Sequence, residues 1–151
     1  MKNKVLAIAS IGGHWIQLLR VAKGLEECYD VVYCSTHEKC ATMVKGHQFY
    51  QVADFSRWDA WKLPLEFFKM MRIIRREHPK AVITTGAAPG LTALLAAKIC
   101  GVKTIWIDSI ANVYQLSASG RMACKFASMV YTQWPDLADG KRVIYKGNIY
   151  G

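Results

Sequence analysis

The stretch SIGGHW, at residues 10–15, places two glycines and a histidine directly after an apolar run. Glycines allow a ligand close to the backbone, and a helix that starts here would point unpaired N–H groups at an anion such as phosphate. Histidine titrates near neutral pH and can act as a general base or contact a phosphate. Gly12 and Gly13 are therefore candidate phosphate-binding residues, and His14 is a candidate catalytic residue. The alternatives are a tight turn without a ligand, and a capping or solvent-exposed role for the histidine.

Three further loops combine small and polar residues at the end of an apolar run. They are TTGAAPG at 84–90, DSIANV at 108–113 and TQWP at 132–135. Their candidate ligand-binding residues are Gly86, Pro89, Gly90, Asp108 and Asn112. The alternative for the first of these loops is a capped helix start, and a lone carboxylate such as Asp108 can equally be a helix cap. Convergence of several polar loops on one rim favours a binding site.

The elements that must position these loops alternate between strand and helix. Short apolar runs predict strands over 4–10, 30–34, 49–52, 80–84, 103–107, 129–132 and 142–145. Periodic runs predict helices over 14–27, 38–45, 63–77, 90–100 and 116–128, while 54–61 is predicted to be a loop. This alternation predicts an α/β fold, a Rossmann-like parallel sheet with helices on both faces, in a single domain over residues 1–151. In such a sheet ligands bind beyond the carboxyl ends of the strands, where all four loops would lie.

The composition restricts the partners. The net charge of +9 favours an anionic partner, either nucleic acid, an anionic lipid surface or a phosphorylated substrate. We expect no nucleic acid, because no recognisable nucleic-acid module is present. The five cysteines show no zinc-site spacing and no DxD motif occurs, so we predict no metal and a reduced, cytosolic setting. No apolar run reaches the roughly 18 residues of a membrane span, so we expect any membrane contact to be peripheral or to come through a partner.

Residues 58–76 mix aromatic and basic side chains. In the predicted helix, one stripe is expected to be core and consists of Leu63, Phe67, Met70, Met71 and Ile74. The other side interleaves basic residues with Leu65, Phe68 and Ile73, which suits a helix lying on anionic lipid. The candidate membrane-contacting residues are Trp58, Trp61, Phe68, Lys69, Arg72, Arg75 and Arg76. The alternative is a packed helix with a solvated basic edge.

Three stretches together carry a resemblance to a known family: IGGHW, then ITTGAAPGLTALLAAKICGVKTIWIDSIANVYQLSASGRMACKFASMVYTQWP, then the terminal VIYKGNIYG. The chain resembles the oligosaccharide-biosynthesis family whose eukaryotic members supply the acceptor-binding, membrane-recruiting subunit of a two-subunit UDP-N-acetylglucosamine transferase. Bacterial members of that family assist capsule and exopolysaccharide synthesis. The pattern is also similar to the N-terminal domain of the single-chain transferase that makes lipid II.

The resemblance implies the N-terminal half of a GT-B glycosyltransferase, without the half that binds the nucleotide-sugar. The implied function is an acceptor-binding, membrane-recruiting subunit that helps to transfer a sugar from a UDP-sugar to a polyprenyl-diphosphate-linked sugar. No cofactor is implied for this chain, since a donor-binding partner subunit would bind the UDP-sugar. Many eukaryotic members begin with a membrane-spanning helix, whereas this chain begins with its first strand. We therefore expect a prokaryotic-type member on the cytoplasmic face of the membrane.

Residue roles follow from the same resemblance. Gly12 and Gly13 would seat the acceptor diphosphate, and His14 would act as a base or as an electrostatic contact. Gly86, Pro89 and Gly90 would shape the neighbouring wall. Asp108 and Asn112 would bind the acceptor sugar. Trp134 and Tyr150 would contact the donor-binding partner. Two rival hypotheses are a non-catalytic membrane scaffold that recruits a complete transferase, and a small nucleotide-binding domain with its own soluble substrate.

Overall fold

The computed structural model describes residues 2–55 and 57–150, except for the side chains of residues 57 and 58. Its strands are β1 (Asn3–Ile8), β2 (Tyr29–Ser35), β3 (Phe49–Gln51), β4 (Ala81–Thr84), β5 (Lys103–Ile107), β6 (Met129–Thr132) and β7 (Val143–Tyr145). Its α-helices are α1 (Gly13–Leu25), α2 (Leu63–Glu77), α3 (Ala87–Ile99) and α4 (Ala118–Ala123). Short 3-10 helices cover Glu38–Met43, Arg57–Lys62 and Pro135–Leu137. The alternation of strand and helix is as predicted.

The seven strands form one parallel sheet in the order β3-β2-β1-β4-β5-β6-β7. Val5, in β1, pairs with Val31 on one side and with Ala81 on the other. The chain therefore builds outward from β1 in both directions, and the order reverses between β1 and β4. This reversal opens a crevice at the carboxyl ends of the two strands, which is where open α/β sheets bind ligands. The predicted Rossmann-like fold class is confirmed.

Alternating side chains of the strands fill two cores, one on each face of the sheet. Leu6 and Ile8 of β1 join a core that α2, α3 and α4 cover, and Trp106 is fully buried there. Val5 and Ala7 point the other way, into a core that contains Trp15 of α1. Burial on both faces explains why most strands are almost continuously apolar.

An ion pair and a hydrogen bond join Glu77, at the end of α2, to two strands. Glu77 accepts hydrogen bonds from Lys4 of β1, with an Nζ–Oε1 distance of 2.9 Å, and from the hydroxyl of Tyr50 of β3. Burial tends to raise the pKa of Glu77, but the hydrogen bonds from Tyr50 and Lys4 outweigh it and the net pKa is lowered. Burial and the same hydrogen bond raise the pKa of Tyr50 to about 12. Glu77 is therefore held as a carboxylate at neutral pH.

Among the α-helices, α3 and α4 depart most from the prediction, and the predicted helix over 38–45 is a 3-10 helix over Glu38–Met43. α3 begins at Ala87 rather than at Gly90, because Gly86 takes the turn with φ of 145° and Pro89 fits in the first helical turn, where no N–H is needed. α4 covers only residues 118–123 of the predicted 116–128. The chain leaves the helix before β6, because the backbone N–H of Ser128 donates to the hydroxyl of Thr104 and the Ser128 hydroxyl accepts from the N–H of Thr104.

The predicted exposure of α2 and its preceding segment needs two corrections. Ile73, expected on the exposed side, is 5% exposed, whereas Leu63, expected in the core, is 44% exposed. The reason is that α2 packs against α3 as well as against the sheet, so its buried surface is wider than one stripe and shifted along the helix. In the segment predicted as a loop, residues 57–62 form a 3-10 helix. Within the described ranges, no helix has both the length and the apolar character to cross a membrane.

Candidate functional site

A small polar cleft of about 170 Å³ lies at the carboxyl edge of the sheet, beside the reversal point. Four segments form it: the start of α1, the β4–α3 turn, the loop after β5 and the start of α4. Its lining residues are His14, Thr85, Gly86, Ala87, Asp108, Ser109, Asn112, Ser117, Ala118 and Ser119. Four residues that sequence analysis singled out separately thus meet here: His14, Gly86, Asp108 and Asn112.

His14 is fixed to the β4–α3 turn by two reciprocal contacts. Its Nδ1 lies 3.2 Å from the carbonyl oxygen of Thr85, and the Thr85 hydroxyl donates to the carbonyl oxygen of His14 at 2.5 Å. A carbonyl oxygen only accepts, so Nδ1 must carry the hydrogen. In the neutral ring Nε2 then has its lone pair available, and that atom can accept a proton. The geometry gives His14 the tautomer that a general base needs.

Gly86 leaves the space that the imidazole of His14 occupies. A Cβ atom at this position would lie 2.6 Å from both Nδ1 and Cε1 of that ring. The φ of Gly86, 145°, is also a value that residues with side chains rarely adopt. Glycine is therefore required here both by the backbone turn and by the ring beside it.

Asp108 forms the floor of the cleft, and its carboxylate has partners within the chain. It is 1% exposed, and its Oδ1 accepts from the indole N–H of Trp106 at 2.9 Å and from the hydroxyl of Ser117 at 2.7 Å. Its Oδ2 accepts from the backbone N–H of Ser117 at 3.0 Å. Gly120 must be small, since a Cβ there would lie 2.6 Å from Oδ1. These contacts make Asp108 a group that positions the start of α4.

The loop after β5 is held against α1 by Gln17. Its amide nitrogen donates to the hydroxyl of Ser109 at 3.1 Å, and its oxygen accepts from the N–H of Ile110 at 3.3 Å. The backbone N–H of Asn112 donates to the carbonyl oxygen of Ser109 at 3.1 Å. The loop is thereby fixed with the side chain of Asn112 lining the cleft, where its amide can bind a ligand hydroxyl.

Sequence reasoning placed Thr85 and Ser109 in candidate loops, but it did not name three other residues that build this site: Gln17, Ser117 and Ser119. One of them carried a recognisable signal. Ser117 precedes α4 as a serine N-cap, and its hydroxyl accepts from the N–H of Gly120 at 2.9 Å. The hydroxyl of Thr85 acts on a residue 71 positions earlier in the chain. No local pattern in the sequence predicts such a contact.

The remaining predicted loop residues lie apart from the cleft lining. Gly12 is the N-cap of α1 with φ of 106°, and Gly13 is the first residue of that helix; both are exposed at the same edge of the sheet. Pro89 and Gly90 are buried inside α3. A Cβ on Gly90 would lie 2.1 Å from the hydroxyl oxygen of Thr84, so this glycine allows α3 to pack closely on β4. The structure therefore gives these two residues a packing role, where a wall of the site was predicted.

The electrostatics of the cleft edge favour an anion. The N-caps of α1 and α3 are both glycines without a capping side chain, so the first N–H groups of each helix point outward at this edge. The positive ends of the two helix dipoles add to this effect. Among the described residues, no three His, Cys, Asp or Glu side chains come together as a metal site would require.

The predicted membrane-contacting residues lie on the outer surface of α2 and the segment before it. The side chains of Trp61 and Phe68 are 71% and 67% exposed. Lys69, Arg72, Arg75 and Arg76 are exposed as well, and Lys69 donates to the carbonyl oxygen of Gln51 at 2.8 Å. The side chain of Trp58 lies outside the described part of the structure.

The two predicted partner-contacting residues, Trp134 and Tyr150, also make contacts within the chain. The indole N–H of Trp134 donates to the carbonyl oxygen of Ile110 at 2.7 Å. The guanidinium of Arg20 lies 4.3 Å from the ring centre of Tyr150, whose side chain remains 45% exposed. The segment before Tyr150 is fixed by Ile149, whose N–H donates to Gln133 at 2.9 Å.

Comparison with known proteins gives a family model and several curated relatives. The model described as "Oligosaccharide biosynthesis protein Alg14 like" matches residues 61–149. The UDP-N-acetylglucosamine--N-acetylmuramyl-(pentapeptide) pyrophosphoryl-undecaprenol N-acetylglucosamine transferase of Prochlorococcus marinus is 27% identical, over 92% of this chain and 41% of its own length. The UDP-N-acetylglucosamine transferase subunit ALG14 of Cryptococcus neoformans is 31% identical, over 56% of this chain and 39% of its own length. The chain thus spans about two fifths of each of these relatives.

Solved structures match the fold over nearly the whole chain. MurG of Acinetobacter baumannii superposes with a TM-score of 0.81 at 18% identity, covering 95% of this chain and 45% of that one. The UDP-GlcNAc 2-epimerase of Neisseria meningitidis, bound to UDP-GlcNAc, gives 0.75 at 14% identity, covering 97% and 47%. At such identities the likeness concerns the fold alone, and it is the fold of the N-terminal-like domain of GT-B glycosyltransferases.

Proposed function

The chain belongs to the Alg14-like family of oligosaccharide biosynthesis proteins, and from this we propose that it is the acceptor-binding subunit of a split glycosyltransferase. The transferase would move a sugar from a UDP-sugar to a polyprenyl-diphosphate-linked sugar, in capsule, exopolysaccharide or related oligosaccharide synthesis. The donor would be bound mainly by a second, donor-binding chain. The names of the relatives, a transferase acting on a pyrophosphoryl-undecaprenol compound and a transferase subunit, support the proposal.

The observation that carries the proposal is the orientation and the tautomer of the His14 ring in the cleft. Because Nδ1 donates to the Thr85 carbonyl, Nε2 of the neutral ring can accept a proton from an acceptor hydroxyl. As that hydroxyl loses its proton to Nε2, its oxygen would attack the anomeric carbon of the donor sugar, and the bond from that carbon to UDP would break. The leaving group departs with its electron pair toward the donor-binding subunit. Transfer requires both substrates in line, so this chain alone would be inactive.

The other cleft residues would hold the acceptor. The N–H groups at the starts of α1 and α3, with Gly12 and Gly13 exposed beside them, suit the diphosphate. Asn112 and Ser119 also line the cleft and would bind hydroxyls of the acceptor sugar. Asp108 acts indirectly in this proposal, because it fixes the start of α4 through Ser117.

The outer surface of α2 would place the cleft at the cytoplasmic face of the membrane. Trp61 and Phe68 would enter the headgroup region, and Arg72, Arg75 and Arg76 would attract anionic lipid. The side of the molecule that carries Trp134 and Tyr150 would contact the donor-binding partner. No nucleic acid enters this proposal.

Separate binding measurements on this chain test whether it binds the acceptor and leaves the donor to the other subunit. The probes are a citronellyl-diphosphate-linked N-acetylglucosamine, as a water-soluble acceptor, and UDP-GlcNAc, each titrated calorimetrically into the purified chain. We expect the acceptor probe to bind and UDP-GlcNAc to bind far more weakly. Binding of UDP-GlcNAc without binding of the acceptor probe would instead indicate a nucleotide-sugar-binding domain with a soluble substrate. Binding of neither probe would favour a membrane scaffold and contradict the proposal.

A further inference from the structure

An apolar groove of about 450 Å³ lies on the face of the sheet that α2, α3 and α4 cover. Its walls are almost entirely carbon, and its principal lining residues are Leu63, Phe67, Leu91, Leu95, Met122 and Phe126. Three of these side chains, those of Leu63, Leu95 and Met122, are between 43% and 53% exposed. The volume is that of an ordinary small-molecule site, and such a concave apolar surface is a binding site by default.

The groove lies close to the polar cleft along two helices. Ala87 of α3 lines the cleft and Leu91, one turn further on, lines the groove. On α4, Ser119 lines the cleft and Met122 lines the groove. At 1.5 Å per residue, the two sites are separated along each helix by only about 5 to 6 Å. A ligand that fills both must have a polar, anionic head joined directly to a hydrocarbon chain.

We propose that this groove holds the first isoprene units of the acceptor's polyprenyl chain, so that the chain itself, and not only the head group, is recognised. This inference rests on the proposed function, because the head group is the one assigned to the cleft. The order of the two sites fits the direction of the ligand. The diphosphate would lie at the N-termini of the helices, and the chain would leave along the α3–α4 seam toward the exposed aromatic residues of the membrane-facing surface.

Two other occupants fit the groove less well. A bilayer surface is broad and would contact the side chains that protrude most, such as Trp61 and Leu65, which are 71% and 69% exposed and lie outside the groove. Phe68, 67% exposed, also lines the groove and marks the point where the groove meets the membrane-facing surface. A second copy of this chain would bring a second net charge of +9 against the basic surface around the groove. A single neutral hydrocarbon chain fills a concave apolar groove without either difficulty.

The test compares three probes of different chain and head: farnesyl diphosphate, methyl diphosphate and farnesol, each below its aggregation concentration and without membrane. Equilibrium binding to the full chain is measured for the wild type and for the double variant Leu95→Ser, Met122→Ser. We expect farnesyl diphosphate to bind at least about tenfold more tightly than methyl diphosphate, a gain that the burial of two methylene groups already gives. The double variant should lose that gain and bind methyl diphosphate as the wild type does.

Leu65→Ser is the matched control, because Leu65 is an exposed leucine of the same face that does not line the groove. It should leave the affinity for farnesyl diphosphate unchanged, and thermal unfolding of each variant verifies the fold. Equal affinity of the wild type for farnesyl and methyl diphosphate would contradict the proposed role of the groove, but not the proposed role of the cleft in binding the acceptor. If farnesol binds as tightly as farnesyl diphosphate, the result would support hydrocarbon binding in the groove and contradict diphosphate binding in the cleft. Equal losses in the control and the double variant would also overturn the proposal.

Discussion

The imidazole of His14 is held in one orientation by contacts that reach across the crevice of the sheet. Thr85 belongs to the turn after β4, and His14 follows β1, the neighbouring strand. The contacts between the two residues therefore join the carboxyl ends of these two strands. A backbone carbonyl orients the ring and fixes its tautomer without adding a full negative charge. The ring is therefore positioned for proton transfer by groups that are themselves part of the fold.

The replacement His14→Ala should lower the rate of transfer by about 100- to 10,000-fold in the assembled enzyme, the usual contribution of a general base. The variant should remain folded and bound to its donor-binding partner, because His14 is only half-buried at the edge of the sheet. The rate is measured with saturating donor, and partner retention by co-purification. Transfer at the wild-type rate would remove His14 from the mechanism.

The replacement Gly86→Ala should displace the imidazole of His14 while leaving that residue itself unchanged. The new Cβ would lie 2.6 Å from the ring, and the positive φ of 145° would add backbone strain. We expect a loss of about 1–3 kcal/mol in the free energy of unfolding and a fall in transfer. Denaturant unfolding and the transfer assay measure the two effects.

Gly24→Ala is the control for that change. Gly24 lies in α1 with nothing within 4 Å of the position its Cβ would take, so the replacement should raise stability by up to about 1 kcal/mol and leave transfer unchanged. If Gly86→Ala behaves like Gly24→Ala, the close packing between Gly86 and His14 has no role.

At this scale the sequence predicted the loops of the site but not the contacts within them. Glycine and histidine after an apolar run indicated the positions of Gly86 and His14, because few residues tolerate such a turn. The role of Asp108 could not be predicted, since its partners include the indole of Trp106 and the cap of a helix nine residues later. A carboxylate looks the same in the sequence whether it faces a ligand or a buried N–H.

The elements are tied together at the opposite edge of the sheet by Glu77, at the end of α2. Its carboxylate is 8% exposed and joins α2 to Lys4 of β1 and to Tyr50 of β3. The lowered pKa of Glu77 means that the folded state prefers the carboxylate more strongly than the unfolded chain does. This preference stabilises the fold above the pKa of the unfolded side chain, and it is lost as the pH falls through the folded pKa.

Glu77→Gln should therefore destabilise the protein in a pH-dependent way. At pH 7 we expect a loss of about 1.5–3 kcal/mol in the free energy of unfolding, the usual contribution of hydrogen bonds to a charged group. The difference between wild type and variant should shrink as the pH falls below the ordinary carboxyl range near 4, because the wild-type side chain then becomes neutral too. Urea unfolding at several pH values measures it, and a difference that stays constant with pH would contradict the assignment.

The seven strands, the four α-helices and their order could be predicted because strand and helix alternate with strong hydrophobic patterns, whereas the 3-10 helices at residues 57–62 and 135–137 were not predicted. The ends of α3 and α4 could not be predicted, since Pro89 marked a helix start that lies two residues earlier and Ser128, just before β6, is hydrogen-bonded to Thr104 of β5. The burial of Ile73 depends on α3 lying beside α2. Hydrophobic periodicity within one helix carries no information about a second neighbour.

The whole molecule separates its proposed tasks between different surfaces. The polar cleft lies at the carboxyl edge of the sheet, the apolar groove begins one helical turn away, and the basic outer surface of α2 lies beside the groove. An acceptor that is polar at one end and hydrocarbon at the other could therefore bind while the protein stays at the membrane surface.

Charge reversal on that basic surface tests the membrane contact. The triple variant Arg72→Glu, Arg75→Glu, Arg76→Glu should be released from vesicles that contain anionic lipid, since each basic residue near such a surface contributes about 1 kcal/mol of attraction. The three side chains are exposed, so the fold should persist. Flotation with liposomes measures the bound fraction, and neutral vesicles are the reference. Undiminished flotation with anionic vesicles would exclude this surface as the contact.

The most direct test of the central claim is the transfer of labelled N-acetylglucosamine from UDP-GlcNAc to a polyprenyl-diphosphate-linked sugar in vesicles. Three reactions are compared: this chain alone, a candidate donor-binding chain alone, and the two together. The account predicts transfer only in the mixture, and its loss when this chain carries His14→Ala. Equal transfer by the donor-binding chain alone would contradict the account, because the cleft around His14 would then take no part in the reaction.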